Sequence, residues 1–565
     1  MRDTPRGTAK LVLEPSWAAR IRRMCTRLRL AVATLAVAVL IYGSVTAQTP
    51  QTATQPRVDA LFNRFTSSTP GCAVGADVHG ETVIRAAYGS ADLEHAVPIT
   101  TDTIFEAGSV SKQFTAAAVV LLARAGKLSL DDPVRKYVPE LPDFGAPLTI
   151  RHLLHHTSGL RDWGNLVALA GWPRTTRVHT HAHVLDVLSR QGTLNFPPGT
   201  RWSYTNSGYN LAAIIVSRVS GKSFAEFTKT MIFDPLGMKD TSWRDDYTRI
   251  VKRRAIAYTD RQGTFTLNMP FENVYGNGGL LTTVGDLLKW NTNFSAHIVG
   301  DAAFVDEMQQ RATLPGGRTH EYALGLYVDT YKGVREVDHS GATAGYSAHL
   351  GRYPDQQVSV AVLCNVAGAN ATGYAKAVAE LYLTGLRPAP APPPSHTLTD
   401  AEAERLVGLY RSLKPAGVVI IAREKDGLLA RNVGRLVPMS ATRFATIDLS
   451  TYEFDGRGQL RVTDEFGTSD VFDRIDPVKP DLEALKAFAG RYVSDEIETT
   501  MDVSLQGDRL VIRRRPDFVA PLTPVWSNGF SSPLGWVIFA RDASGQVISM
   551  SINQDRAWDV RFARQ

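Results

Sequence analysis

The sequence predicts a mixed α/β (α+β) domain, an antiparallel sheet flanked by helices, followed by two small antiparallel β barrels. Three observations carry that expectation. Strand-like runs stand at both ends of residues 48–386, with a helical and loop-rich stretch between them. A proline–alanine run from Pro388 to Pro394 then marks a stiff, extended boundary. Beyond it, short alternating runs with Asp-Gly and Ser-Gly turns repeat at a spacing of about 80 residues. A hydrophobic content of 44% over 565 residues is ample for several packed cores.

Residues 1–47 read as a signal peptide. A basic stretch precedes an apolar run from Leu30 to Tyr42, broken only by Thr34, and Val45-Thr46-Ala47 closes it with small residues. A membrane-spanning helix needs about 20 apolar residues, more than this run offers. No cysteine follows Ala47 directly, so no lipid anchor is indicated, and Met24 makes a more ordinary start than Met1. The expectation is export to the periplasm or medium, with membrane contact only through the cleaved segment. The charge is consistent with this. Of the 62 Lys and Arg and 56 Asp and Glu, eight bases and two acids precede Gln48, so the leader holds the whole net +6. The remainder is balanced, which leaves no electrostatic support for a nucleic-acid partner.

In residues 48–386, Cys72–Val78 and a run through Ile84 to Tyr88 flank the turn His79-Gly80. Strands return at Leu324–Tyr331, Val334–Ser340, Tyr346–Arg352 and Val358–Cys364. If the two ends meet as antiparallel neighbours, Cys72 and Cys364 face each other at one end of the sheet. Export permits a bridge between them without requiring one, and two buried thiols are the alternative. Residues 387–397 form the Pro-rich linker, 398–478 the first barrel and 479–565 the second. Gly408-Leu409-Tyr410-Arg411-Ser412 recurs as Gly490-Arg491-Tyr492-Val493-Ser494, and Gly458-Gln459 recurs as Gly545-Gln546.

The chemistry starts at Ser109-Val110-Ser111-Lys112, the one Ser-x-x-Lys in the chain, which opens an apolar helix ended by Gly126. A serine hydroxyl needs a neighbouring base. Residues three apart share a helix face, which puts Lys112 beside Ser109. A helix start also offers free N–H groups to a developing oxyanion. Two further segments accompany it. Tyr204-Thr205-Asn206 follows Phe196-Pro197-Pro198-Gly199, and His339-Ser340-Gly341 ends a strand before Ala342.

With these three elements in this order the chain resembles the penicillin-recognising serine hydrolases: class C β-lactamases, low-molecular-weight penicillin-binding proteins, family VIII esterases and D-aminopeptidases. Gly126-Lys127-Leu128-Ser129-Leu130-Asp131-Asp132-Pro133, Leu153–Leu160, Pro235-Leu236-Gly237-Met238 and Gly278–Thr283 match as well. The resemblance covers residues 55–386 and implies a β-lactamase-like catalytic domain with lipocalin-like barrels behind it, a layout found in D-aminopeptidases. It implies Ser109 as acylated nucleophile, Lys112 as proton acceptor and Tyr204 as the shuttle to the leaving group. Asn206 would hold Lys112 or the substrate carbonyl. His339 and Gly341 would form the third element, and the backbone N–H groups of Ser109 and Ala342 the oxyanion hole. Lysine and tyrosine titrate near ~10 when free, so both are expected to be depressed.

The implied activity is cleavage of small esters or amides, esterase or D-aminopeptidase-like, on a small-molecule or short-peptide substrate. A true β-lactamase or DD-carboxypeptidase, or a slowly acylating penicillin-binding sensor, stays open, as does a homo-oligomer. Lysine is usual where His339 stands; a mostly neutral imidazole gives little pull on a substrate carboxylate, which favours substrates without one. No cofactor and no metal are expected. His152, His155 and His156, and His179, His181 and His183, could suggest zinc ligands, but no matching further ligand stands nearby. Thr180 reads as a helix cap and Arg513-Arg514-Arg515 as a solvated strand edge. Asn277 and Tyr346 are pocket-lining or packing residues, and Trp163 and Trp172 packing residues.

Overall fold

The computed structural model describes residues 50–174, 176–387, 396–413, 416–425, 427–431, 433–446, 450–464 and 468–565. The leader at 1–47 and most of the Pro-rich linker lie outside them. The chain divides into two compact units, Met1–Asp59 and Ala60–Gln565. The described part of the first is helical, within a helix over Pro50–Phe62. All that follows concerns the second. Among the described residues no helix is long and apolar enough to cross a membrane.

A six-stranded antiparallel sheet is built from both ends of the catalytic region: β1 (Cys72–Val78), β2 (Glu81–Tyr88), β3 (Tyr327–Tyr331), β4 (Val334–Thr343), β5 (Tyr346–Tyr353) and β6 (Val358–Cys364). Their order is β3-β4-β5-β6-β1-β2. The hairpins β1–β2 and β3–β6 are each local, so the fold closes through the β1–β6 ladder, where Cys72 pairs with Cys364. The two cysteines are joined by a disulfide. β5 is buried along its whole length, as a central strand covered on both faces must be.

Between the strand groups run α1 (Ser111–Arg124), α2 (Asn206–Ser220) and α3 (Val284–Ala296), and α4 (Ala371–Ala379) follows the sheet. α1 is buried on nearly every side, from Ser111 to Val120, which accounts for an apolar run without a polar stripe. α3 lies on β1, where a Cβ on Gly75 would come within 2.9 Å of Leu288, so the bare glycine lets helix and strand close up. Two strands differ from the sequence expectation. β4 runs on to Thr343. The segment Leu324–Leu326 is not a strand, because Gly325 turns at φ +75° and its Cα abuts the Lys112 backbone, leaving no room for a side chain.

The tail forms two closed eight-stranded barrels, within Gly408–Ile475 and Gly490–Arg564. The sequence repeat has a structural reason. Tyr410 and Tyr492, on the first strand of each barrel, donate to Leu406 O (2.9 Å) and Phe488 O (2.8 Å), four residues upstream. Gln459 and Gln546 close equivalent turns by donating their N–H to Asp455 and Asp542. The first barrel has its own apolar core, whereas the core of the second is continuous with that of the catalytic region. Arg515 is not on a free edge: its Nε donates to Ala170 O (3.0 Å).

Candidate active site

Ser109 sits in a tight turn, Gly108–Val110, that leads into α1. Gly108 has φ +51°, and a Cβ there would meet Ala342 N at 2.5 Å. From the other side, a Cβ on Gly341 would meet Ala107 O at 2.0 Å and Ser109 N at 3.0 Å. Two glycines thus let the end of β4 lie directly on the serine turn, bringing the backbone N–H groups of Ser109 and Ala342 to one place.

Lys112, the second residue of α1 and three residues beyond Ser109, is fully buried, and its Nζ lies 3.0 Å from Ser109 Oγ. It donates to Asn206 Oδ1 (3.1 Å) and Asn277 O (2.7 Å). Burial pushes its pKa well below the ordinary lysine value, with Asp162 opposing and Arg556 and Arg174 adding to the fall. Tyr204 OH donates to Ser109 Oγ at 2.8 Å. Its ring stands 4.7 Å from Lys112 Nζ and 4.3 Å from the ring of His156. Here the sequence expectation fails in part. Burial raises the Tyr204 pKa above the ordinary tyrosine value, because desolvation penalises a phenolate as it penalises an ammonium. Proximity of cations does not overcome that.

Asn206 opens α2 behind the cap Thr205, and its N–H donates to Asp162 Oδ2 (2.7 Å). His339 is buried on β4, with Nε2 at 3.0 Å from Tyr322 OH and Nδ1 at 2.5 Å from Ser340 O. Desolvation, with Lys112 nearby, pushes its pKa down to about 3, so the ring is neutral near pH 7. Asn277 lines the cleft, and its Oδ1 accepts from Asn210 (2.7 Å). Tyr346 is a packing residue, its hydroxyl bonded to Ala255 O. Trp163 is buried in the core, and the Trp172 ring carries the Arg177 and Arg515 guanidinium groups.

The histidines of the two sequence clusters make local contacts. Nδ1 of His152 and His183 accepts the cap N–H of Thr149 and Thr180. His155 and His181 face the carbonyls of Gln310 and Tyr275, His179 that of Trp172, and His156 stacks among Tyr204, Tyr209 and Tyr322.

The cleft encloses about 970 Å³. Besides Ser109, Tyr204, Asn206, His339, Gly341 and Ala342 it is lined by Arg174, by Asp464 of the first barrel and by Asp555 and Arg556 of the second. Sequence reasoning missed this last group, and Asp162, because nothing near them in the chain resembles a motif. A buried ion-pair network lies beneath the serine turn: Glu106 accepts from Arg244 (2.8 and 3.0 Å), and Glu272 accepts from Arg174 (Nε, 2.9 Å).

Residues 58–383 match the family described as Beta-lactamase. Penicillin-binding protein 4* of Bacillus subtilis is 30% identical over 399 residues, covering 65% of this chain and 85% of that protein. A D-aminopeptidase of Brucella canis is 26% identical over 519 residues, 88% of this chain and 96% of its own length. Among solved structures, the octameric penicillin-binding protein homologue from Pyrococcus abyssi shares the fold at TM-score 0.52 and 24% identity, covering 83% of this chain and 98% of that one. With a family match over more than half its length and relatives of these kinds, the chain belongs to the beta-lactamase family and is a serine hydrolase of its β-lactamase and penicillin-binding-protein type.

Proposed function

We propose that Ser109 is the nucleophile of an acyl-enzyme mechanism that cleaves small esters or amides, in the manner of an esterase or D-aminopeptidase, and that the protein works after export. The observation that carries the reading is the pair of contacts on Ser109 Oγ, with Lys112 Nζ at 3.0 Å and Tyr204 OH at 2.8 Å. An uncharged amine has two hydrogens and one lone pair. With the hydrogens directed to Asn206 Oδ1 and Asn277 O, the lone pair of Lys112 faces the serine and takes its proton as Oγ attacks the carbonyl carbon. The oxyanion forms against the N–H groups of Ser109 and Ala342. Tyr204, kept protonated by its raised pKa, hands its hydrogen to the leaving group and is resupplied from Lys112. Water then enters by the reverse route and releases the acid.

Export is supported by the sequence of the leader and by the Cys72–Cys364 disulfide, a bond at home in an oxidising compartment. The D-aminopeptidase relative supports the amide side of the reading. The test is covalent. A fluorophosphonate should add one mass to the peptide holding Ser109, and Ser109→Ala should lose both that label and hydrolysis of p-nitrophenyl butyrate and D-alanine p-nitroanilide. Labelling that persists in Ser109→Ala overturns the assignment. A fluorescent penicillin that labels and never leaves would make the protein a sensor instead.

A further inference from the structure

We propose that Arg556, carried into the cleft by the second barrel, is a specificity-determining residue that seats a substrate carboxylate beside Ser109. The proposal rests on the reading of Ser109 as the reacting centre and names the substrate class that this cleft takes.

The position of Arg556 is fixed by its backbone. Its carbonyl accepts from Asp162 N (3.0 Å) and Asn195 Nδ2 (3.1 Å), and two residues on Trp558 N donates to Asn195 Oδ1 (2.8 Å). Upstream, Asn165 Nδ2 donates to Gln554 Oε1 (2.8 Å) and Asp555 Oδ1 (3.0 Å). The turn is therefore clamped on the catalytic region on both sides of the arginine. Its guanidinium lies over the Tyr204 ring, 5.0 Å from the centroid, and the Tyr204 hydroxyl is the one bonded to Ser109. The N–H fork in the plane of a guanidinium is the geometry that takes a carboxylate by two parallel bonds.

The other charges of the cleft wall are committed. Arg174 is paired with buried Glu272. His339 is neutral, so the cation usual at that place is missing. Asp464 Oδ1 accepts from Thr468 N (2.7 Å). Asp555 Oδ2 comes to 3.5 Å of Arg556 Nε, while its Oδ1 accepts from Asn165 and the Arg556 N–H. Among the described residues the Arg556 guanidinium makes no hydrogen bond. Asp464 repels an anion on its side of the wall, and Asp555, ion-paired with Arg556 at Nε, leaves the Nη edge of the guanidinium to take one. His339 alone favours carboxylate-free substrates; Arg556 returns a positive charge to the same cleft from a different element.

The carboxylate could belong to the acyl part or to the leaving group, and three esters separate these cases: p-nitrophenyl butyrate, mono-p-nitrophenyl glutarate and the butyryl ester of 3-hydroxybenzoate. In Arg556→Gln the kcat/KM ratio of one of the two anionic esters to the neutral one should fall about tenfold, equivalent to about 1.4 kcal/mol. Arg556→Lys should fall less. The ratio is read on one preparation, so the active fraction cancels. An unchanged ratio for both anionic esters overturns the proposal. If wild-type protein hydrolyses none of the three, the Ser109 reading fails instead. Binding of the glutarate and 3-hydroxybenzoate esters to Ser109→Ala and Ser109→Ala/Arg556→Gln proteins then decides Arg556 separately: a tenfold weaker Kd for either supports it, and equal values for both overturn it.

Discussion

Lys112 reaches the serine hydroxyl from a fully buried position, and this sets a pH dependence. Only the uncharged amine can accept the proton. Its pKa lies well below 10.5, so the acylation rate is full above that lowered value and declines as pH falls through it. Single-turnover acylation of p-nitrophenyl butyrate against pH should therefore show a one-proton acidic limb far below the ordinary lysine range. A limb near pH 10 would remove Lys112 from the role. Spacing alone predicted the Ser109–Lys112 contact, because three residues on a helix settle it. The direction of the Tyr204 shift was not legible, since desolvation depends on neighbours such as His156 and Tyr322 that no local motif announces.

At the level of elements, the junction of β4 with the serine turn is the tightest part of the site. Gly341→Ala would place a methyl group 2.0 Å from Ala107 O, so strand or turn must move. The expected outcome is a fall in kcat/KM of roughly a hundredfold, the order of loss a misplacement near 1 Å brings. Circular dichroism should change little, and Ser340→Ala, at an exposed neighbour, should serve as the control. Wild-type activity in Gly341→Ala would mean that the close approach has no part in the reaction. The end of β4 was unreadable as strand because Gly341 and Ala342 carry no strand preference of their own; pairing with Tyr346–Ala348 imposes it. The barrels were legible as a repeat, because Tyr410 and Tyr492 do the same work in each copy.

Across the whole molecule, burial holds six histidines of the described residues well below their ordinary value: His155 and His181 are pushed down to about 4, His320, His339 and His349 to about 3, and His156 falls as well, chiefly by desolvation. The unfolded chain protonates them near pH 6.5 while the folded one does not, so it binds more protons in that window and stability falls as pH drops from about 6.5 toward 4. Asp338, raised by burial and Glu336, and Asp77 and Glu321, raised by burial, act oppositely but are fewer than the histidines. Tm should be lower at pH 5 than at pH 7.5 at equal ionic strength, and a flat or rising Tm would contradict the burial of these rings. No composition count distinguishes a buried histidine from an exposed one. Nor could the chain announce that a barrel turn enters the cleft, since Arg556 meets Tyr204 through docking contacts far apart in sequence, of Arg161 on Trp558 O and Asp559 O and of Asp162 and Asn195 on the Arg556 carbonyl.

The Cys72–Cys364 bond makes the catalytic region a covalent ring, its ends 292 residues apart in sequence. Ser109, Lys112, Tyr204, Asn206 and His339 all lie on that ring, and Arg556 lies off it. A ring of this size restricts the unfolded chain by an amount worth on the order of 5 kcal/mol in the loop-entropy account. A single cut in the helical stretch between β2 and β3 would therefore leave two pieces still tied together, with the proposed nucleophile and its neighbours tethered to the same sheet. The ring shields the reacting groups from the consequences of a broken backbone, whereas the arginine proposed to choose the substrate has no such tether.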